Sequence, residues 1–227
     1  MLMAIFSRVS VLLTVLLLLT ACAGLETDPT KDWTAERFYT EGKTELKQSN
    51  YETAIKHFET LEARYPYGPY AEQAQLEVAY AYYLKGLANF DDQPNFLERF
   101  FTGQNLSDRD PRGMREAYDA FRELVEHFPR SRYAEDSRNR MAHLVNFLAK
   151  NEINVARFYY SRGAYVATVN RAKYVIERYQ RTPSVEDALG LQAMAYKKMG
   201  MEGLMADTVR VLEKNFPGSH YLKELNT

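Results

Sequence analysis

An all-α solenoid of stacked helix pairs is the fold class this sequence predicts, and three observations predict it. The first is a stretch written three times: "RYPYGPYAEQ" (64–73), "HFPRSRYAED" (127–136) and "NFPGSHYLKE" (215–224) each run aromatic residue, proline, turn residues, tyrosine. The second is what precedes each copy. Ala54, Phe58 and Leu61 stand before Tyr65, Ala117, Phe121 and Leu124 before Phe128, and Met205, Val209 and Leu212 before Phe216, always at the same offsets. Separations of three and four put each set on one helical face, and the following proline ends the helix because it pushes the residue before it out of the α region. The third is composition. With 46% hydrophobic residues, 17 Tyr and 12 Phe against the single Trp33, the chain is suited to stacking many similar amphipathic helices.

Taken in order, the chain begins with a targeting segment. Arg8 and the amino terminus precede an apolar run, Val9–Leu19, that is too short for a comfortable membrane span and reads as an export signal. Leu19-Thr20-Ala21-Cys22 follows, and Cys22 is the only cysteine. This resembles a bacterial lipobox, so residues 1–21 are expected to be removed and Cys22 to carry diacylglycerol and an N-acyl chain. Ordinary secretory cleavage after Ala23 is the alternative, since Ala21-Cys22-Ala23 also has the small-residue form. Two or three acyl chains make a lasting anchor where one holds only marginally. In the linker 22–33, eleven residues from Cys22 to Asp32, "CAGLETDPTKD", lead from the anchor to Trp33, a reach of about 36 Å when extended. By the sorting rule of proteobacterial lipoproteins, Ala23 in place of Asp after the cysteine points to the outer membrane.

Residues 34–225 are expected to form the solenoid, with repeats at about 34–68, 70–129, 131–180 and 184–217. In a unit starting at Ala35, the residues Phe38, Gly42, Ala54, Phe58, Leu61 and Pro66 fall at positions 4, 8, 20, 24, 27 and 32. This closely resembles the tetratricopeptide repeat. "AQLEVAYAYYLKG" (74–86) and "ALGLQAMAYKKMG" (188–200) share Ala, Tyr and Gly at matching offsets, as two further first helices would. A fourth terminator closes at Tyr179-Gln180, behind Thr168, Ala172 and Val175, with its proline displaced to Pro183. The helix from 131 to 161 is expected to break near Asn151. The second repeat carries an insertion at 90–113.

Function classes narrow by what the residues can do. The 29 basic and 30 acidic residues nearly cancel, so no broad field draws nucleic acid. His57, His127, His143 and His220 are dispersed without a second ligand at helical spacing, and no metal or other cofactor is expected. No Gly-rich phosphate loop or nucleophile elbow occurs, and no enzymatic activity is expected. The concave wall of a solenoid is instead a binding surface. Repeat numbering places Tyr39, Lys43 and Lys47 of the first repeat, and Tyr80 and Tyr83 of the second, towards that wall. There the rings would stack on an extended peptide and the lysines attract a terminal carboxylate. The alternative, that the tyrosines are packing between helices, stays open at this point.

Further segments carry a resemblance beyond the repeat type. The lipobox, "RYPYGPYAEQAQLEVAYAYY", "SDRDP", "HFPRSRYAEDSRNRM" and "ARFYYSRGAYVATVNRAKYVIERY" in this order are similar to the BamD family of outer-membrane β-barrel assembly lipoproteins, also called competence lipoproteins. The resemblance implies a protein facing the periplasm, bound to the membrane through its lipid alone. It implies partners too: BamA and other barrel-assembly lipoproteins, with BamA held by the C-terminal repeats, and unfolded outer-membrane proteins received by the N-terminal ones. Arg171, Arg178 and Lys197 are the residues expected on the BamA-facing surface. Family members have five repeats, whereas here about one unit is absent between Tyr83 and Leu87. Two rival functions remain: a scaffold for cell-wall synthesis or division, and a hydrolase using Asp91, Asp92, Glu98 or Asp110 of the insertion.

Overall fold

The computed structural model describes residues 28–91 and 111–225, and among them every regular element is a helix. In chain order these are α1 (Ala35–Lys47), α2 (Tyr51–Arg64), α3 (Ala71–Asp91), α4 (Arg112–His127), α5 (Ala134–Ser161), α6 (Tyr165–Arg178), α7 (Ser184–Lys198), α8 (Glu202–Asn215) and α9 (His220–Leu225). Each packs on the next, α5 also meets α7, and α9 closes against α7 and α8. The signal segment, Cys22 and most of the insertion, with Asp92, Glu98 and Asp110, lie outside the described residues.

Two turns, used repeatedly, generate the stack. Within a pair, the chain leaves the first helix through a residue at positive φ: Ser49 between α1 and α2, Gly163 between α5 and α6, Gly200 between α7 and α8. The residue after it, Asn50, Ala164 or Met201, has nearly the same backbone angles each time. Glycine takes that left-handed conformation without penalty, and Ser49 is the one place where a side chain must be carried through it. Between pairs, the repeated stretch supplies the second turn. Tyr65, Phe128, Tyr179 and Phe216 each donate a backbone N–H to the carbonyl four residues back and accept one from three residues on. The displaced proline of the terminator at Tyr179 leaves this pattern intact.

The core runs the length of the stack in four connected clusters. Phe38, Ala54, Phe58, Leu61 and Val78 fill the first, and Met114, Phe121, Leu144 and Phe147 the second. Ala149, Ile153, Ala172 and Val175 form the third, and Leu189, Ala193, Leu212 and Tyr221 the fourth. Close approach depends on glycine at three points. A Cβ on Gly42 would sit 2.7 Å from the Phe58 ring, one on Gly86 2.5 Å from the Phe121 ring, and one on Gly190 2.2 Å from the Tyr221 ring. Each ring therefore lies directly on backbone, and each is an anchor of one repeat.

The helix α3 joins two clusters. Its Ala74, Val78 and Ala81 belong to the first and its Phe90 to the second. One 21-residue helix thus runs without a break through 83–87, where the sequence reading expects a repeat to be absent. The expected break near Asn151 does not occur: α5 is continuous over 28 residues. The polar pair that suggests a break, Asn151 and Glu152, is buried inside the helix, and Glu152 is compensated by arginines from two neighbouring helices. The short α9 is an element that the repeat pattern does not announce.

Candidate binding surfaces

The first surface is an open groove of about 660 Å³ where α1, α3 and the turn before α5 converge. Tyr80 forms part of its wall, stacked on Tyr133 at 5.4 Å and 28°. Leu76, 65% exposed, offers apolar surface beside it. Lys43 also lines the groove, yet its ammonium lies 2.6 Å from Glu77, so its charge is largely matched. Arg130 and Arg132 on the turn before α5 complete the lining. Neither has an ion pair among the described residues, and Arg132 lies over the Tyr133 ring and bonds its hydroxyl.

Behind this wall Tyr39 and Tyr83 serve packing. Tyr39 stacks on Tyr70 at 5.1 Å and leans on Phe58. Tyr83 stacks on Tyr133 at 4.7 Å and donates its hydroxyl to Asp136 at 2.8 Å. Burial, with that carboxylate beside it, pushes the Tyr83 phenol up. Burial also works to raise Asp136, but hydrogen bonds from Arg140 and Tyr83 outweigh it and hold the carboxyl below its usual range. Lys47 is exposed at the end of α1 and does not line the groove. Of the five expected residues, the structure therefore brings Lys43 and Tyr80 to the groove itself. Arg130, Arg132 and Tyr133 escape sequence reasoning although they belong to the repeated stretch, whose spacing marks it only as a helix terminator.

The second surface spans the second and third repeats. Glu152 of α5, with a side chain only 5% exposed, is held between Arg171 of α6 at 2.9 Å and Arg115 of α4 at 3.4 Å. Both guanidinium groups remain about half exposed, so the buried carboxylate fixes them from beneath while leaving their outer edges to solvent. Arg178 lies nearby in a smaller groove of about 350 Å³ with Tyr118, Arg122, Tyr174 and Tyr179. Burial, with Tyr174 beside it, pushes the Tyr179 phenol up to about 12. Lys197 is engaged elsewhere, its ammonium donating to the carbonyl of Leu225 at 2.9 Å and so holding α9 in place. A matching cluster ties the same end, with Arg157 2.6 Å from Asp187 and the Tyr221 hydroxyl donating to that carboxylate at 2.7 Å.

Among the described residues there is no group of three or more His, Cys, Asp or Glu able to hold a metal, and no helix is long and apolar enough to cross a membrane. Fold and surfaces together define a class: a helical-repeat protein with open grooves and exposed charged faces. Comparison with known proteins gives the family. The model of the YfiO family, described as outer membrane lipoprotein, matches residues 31–86 and 77–212. Relatives named outer membrane protein assembly factor BamD include one from Neisseria meningitidis serogroup B, 44% identical with 86% of this chain and 84% of the relative covered. That of Xylella fastidiosa strain Temecula1 is 33% identical over 94% and 83%, and that of Haemophilus influenzae 32% over 78% and 79%. The chain belongs to the BamD family of outer membrane lipoproteins. The two matched segments overlap across 77–86, inside α3, where the sequence places the absent repeat.

Proposed function

We propose that this chain is a non-catalytic scaffold of outer-membrane protein assembly, anchored through lipid on Cys22 and facing the periplasm. Its N-terminal groove receives segments of unfolded outer-membrane proteins, and its later repeats hold BamA. The observation that carries this reading is the separation of two unlike surfaces along one stack. The groove combines apolar and aromatic walls with the guanidinium groups of Arg130 and Arg132, which suits an extended peptide with a terminal carboxylate. Arg115 and Arg171, on the second and third repeats, are fixed by a buried carboxylate, which suits docking to a folded acidic surface with little loss of side-chain freedom. A peptide from the C-terminus of an outer-membrane β-strand, ending in Phe and labelled at its N-terminus, tests the groove by fluorescence anisotropy. Tyr80→Ala is expected to weaken binding about tenfold, equivalent to ~1.4 kcal/mol. Val211→Ala on α8 is expected to leave it unchanged, and equal affinities for all three proteins would contradict the assignment.

A further inference from the structure

The linker before α1 is docked on the first repeat from Asp28 onwards. The Thr30 N–H and hydroxyl donate to Asp28 Oδ1 at 2.9 and 2.7 Å. Arg64, at the end of α2, pairs with the same carboxylate and donates to the Thr30 carbonyl at 2.7 Å. The hydrogen bonds from Thr30, with Arg64 beside them, hold the Asp28 carboxyl down to about 2, so this clasp stays charged at any ordinary pH. Further along, the Trp33 carbonyl accepts the Tyr65 hydroxyl at 2.7 Å. The indole itself lies 5.2 Å from the Phe38 ring, with the Arg37 guanidinium 4.5 Å from its own centre.

The clasp shortens the tether. Only six residue steps separate Cys22 from the fixed Asp28, a span of at most about 20 Å, instead of the roughly 36 Å available if the whole linker were free. At the same end of the molecule, two residues beyond the Tyr65 that grips Trp33, Tyr67 stands 100% exposed. An aromatic ring with a polar tip is favoured at the headgroup level of a bilayer, where both parts find a matching environment.

We propose that this end of the solenoid, the docked linker together with the turn from Tyr65 to Tyr70, is a membrane-facing surface that rests on phospholipid headgroups beside the anchor, with Tyr67 at the interface. The proposal depends on the reading that Cys22 carries the lipid. Lys31 and Arg37 are offset by Asp32 and Glu36 in the same segment, so contact follows from the short tether and the aromatic ring. It is therefore expected to be insensitive to salt. The clasp also sets the orientation of the stack, keeping the first repeat at the membrane while the later repeats extend from it.

The test uses the full lipoprotein in vesicles of phosphatidylcholine and phosphatidylethanolamine. With the Cys22 sulfur blocked by lipid, Pro69→Cys, exposed in the same turn and leaving Tyr67 in place, supplies the one free thiol for an environment-sensitive fluorophore, and Val211→Cys on α8 gives the distal control. The label at 69 is expected to shift to the blue and to be quenched by headgroup-level spin-labelled lipid at least twofold more than the label at 211. Asp28→Ala, which opens the clasp without touching a helix, is expected to reduce that difference while the protein still floats with the vesicles. Protein that floats with both labels in a water-like environment, or with Asp28→Ala indistinguishable from wild type, overturns the proposal. Protein that does not float and shows a free Cys22 thiol removes the anchor reading, and the proposal with it.

Discussion

The early and late repeats use the same helix pair but join their neighbours by different means. Along the groove, ring stacks join the first three repeats, Tyr39 on Tyr70 and both Tyr80 and Tyr83 on Tyr133, with the pair of Lys43 and Glu77 beside them. From the second repeat onwards arginine on carboxylate is added: Arg115 and Arg171 on Glu152, Arg157 on Asp187 with the Tyr221 hydroxyl. Ring stacks tolerate sliding and leave apolar faces open, whereas a buried carboxylate holding two arginines fixes distances and directions. One chassis thus presents an adaptable groove on its early repeats and a preset charged face centred on the second and third.

Removing the anchor of a repeat is the strongest way to break the comparison. Phe121 lies on Gly86 in the same way that Phe58 lies on Gly42, so Phe121→Ala and Phe58→Ala are each expected to cost about 3–5 kcal/mol. Urea unfolding followed by circular dichroism measures this. Hydrogen exchange should then show loosening centred on the repeats touching the lost ring, because each repeat contacts only its neighbours.

Glu152→Ala separates the halves more cleanly. It leaves Arg115 and Arg171 without their shared partner. Because both arginines are half in solvent, the cost is expected near ~2 kcal/mol, below that of breaking a fully buried pair. Peptide affinity at the N-terminal groove should be unchanged, which anisotropy checks directly. A comparable loss of peptide binding would mean that the two surfaces are coupled through α5.

Alkaline titration should affect both halves together. Tyr82 in α3 is pushed up to about 12 by burial, with Glu59 beside it, and Tyr179 is pushed up to about 12 by burial, with Tyr174 beside it. With folded values above the ordinary value near 10, their contribution is fully present below about pH 10 and is lost as pH rises towards about 12. Thermal melts should therefore fall across that window, with Tyr82→Phe and Tyr179→Phe each lessening the drop. The smallest effect is at Ser49, whose left-handed backbone glycine would adopt freely. Ser49→Gly is expected to stabilise by about 0.5–1 kcal/mol in the same urea experiment.

How much of this is legible in the sequence depends on the range of the interactions. Helices, turns and repeat anchors follow from local spacing, so α1 and α2 are readable from Phe38, Gly42, Ala54 and Phe58 alone. The expected break at Asn151 fails because Glu152 is compensated by residues 37 and 19 positions away, which no local pattern reveals. Lys43 looks like a free groove cation for the same reason, its partner Glu77 being 34 residues on. The groove arginines escape notice because one stretch has two roles: it ends a helix, and it presents Arg130 and Arg132 beside Tyr80. The six-residue α9 is too short to show a helical period, although Tyr221 and Leu225 are buried in the terminal cluster.

The central claim, two surfaces with separate partners on one scaffold, is tested most directly by affinity isolation from detergent-solubilised envelopes, with BamA and unfolded outer-membrane proteins quantified by mass spectrometry. Tyr80→Ala is expected to lose the unfolded proteins and keep BamA, and Arg171→Glu to keep the unfolded proteins and lose BamA. Loss of both partners with either substitution, or recovery of cell-wall enzymes without any barrel subunit, would contradict the account.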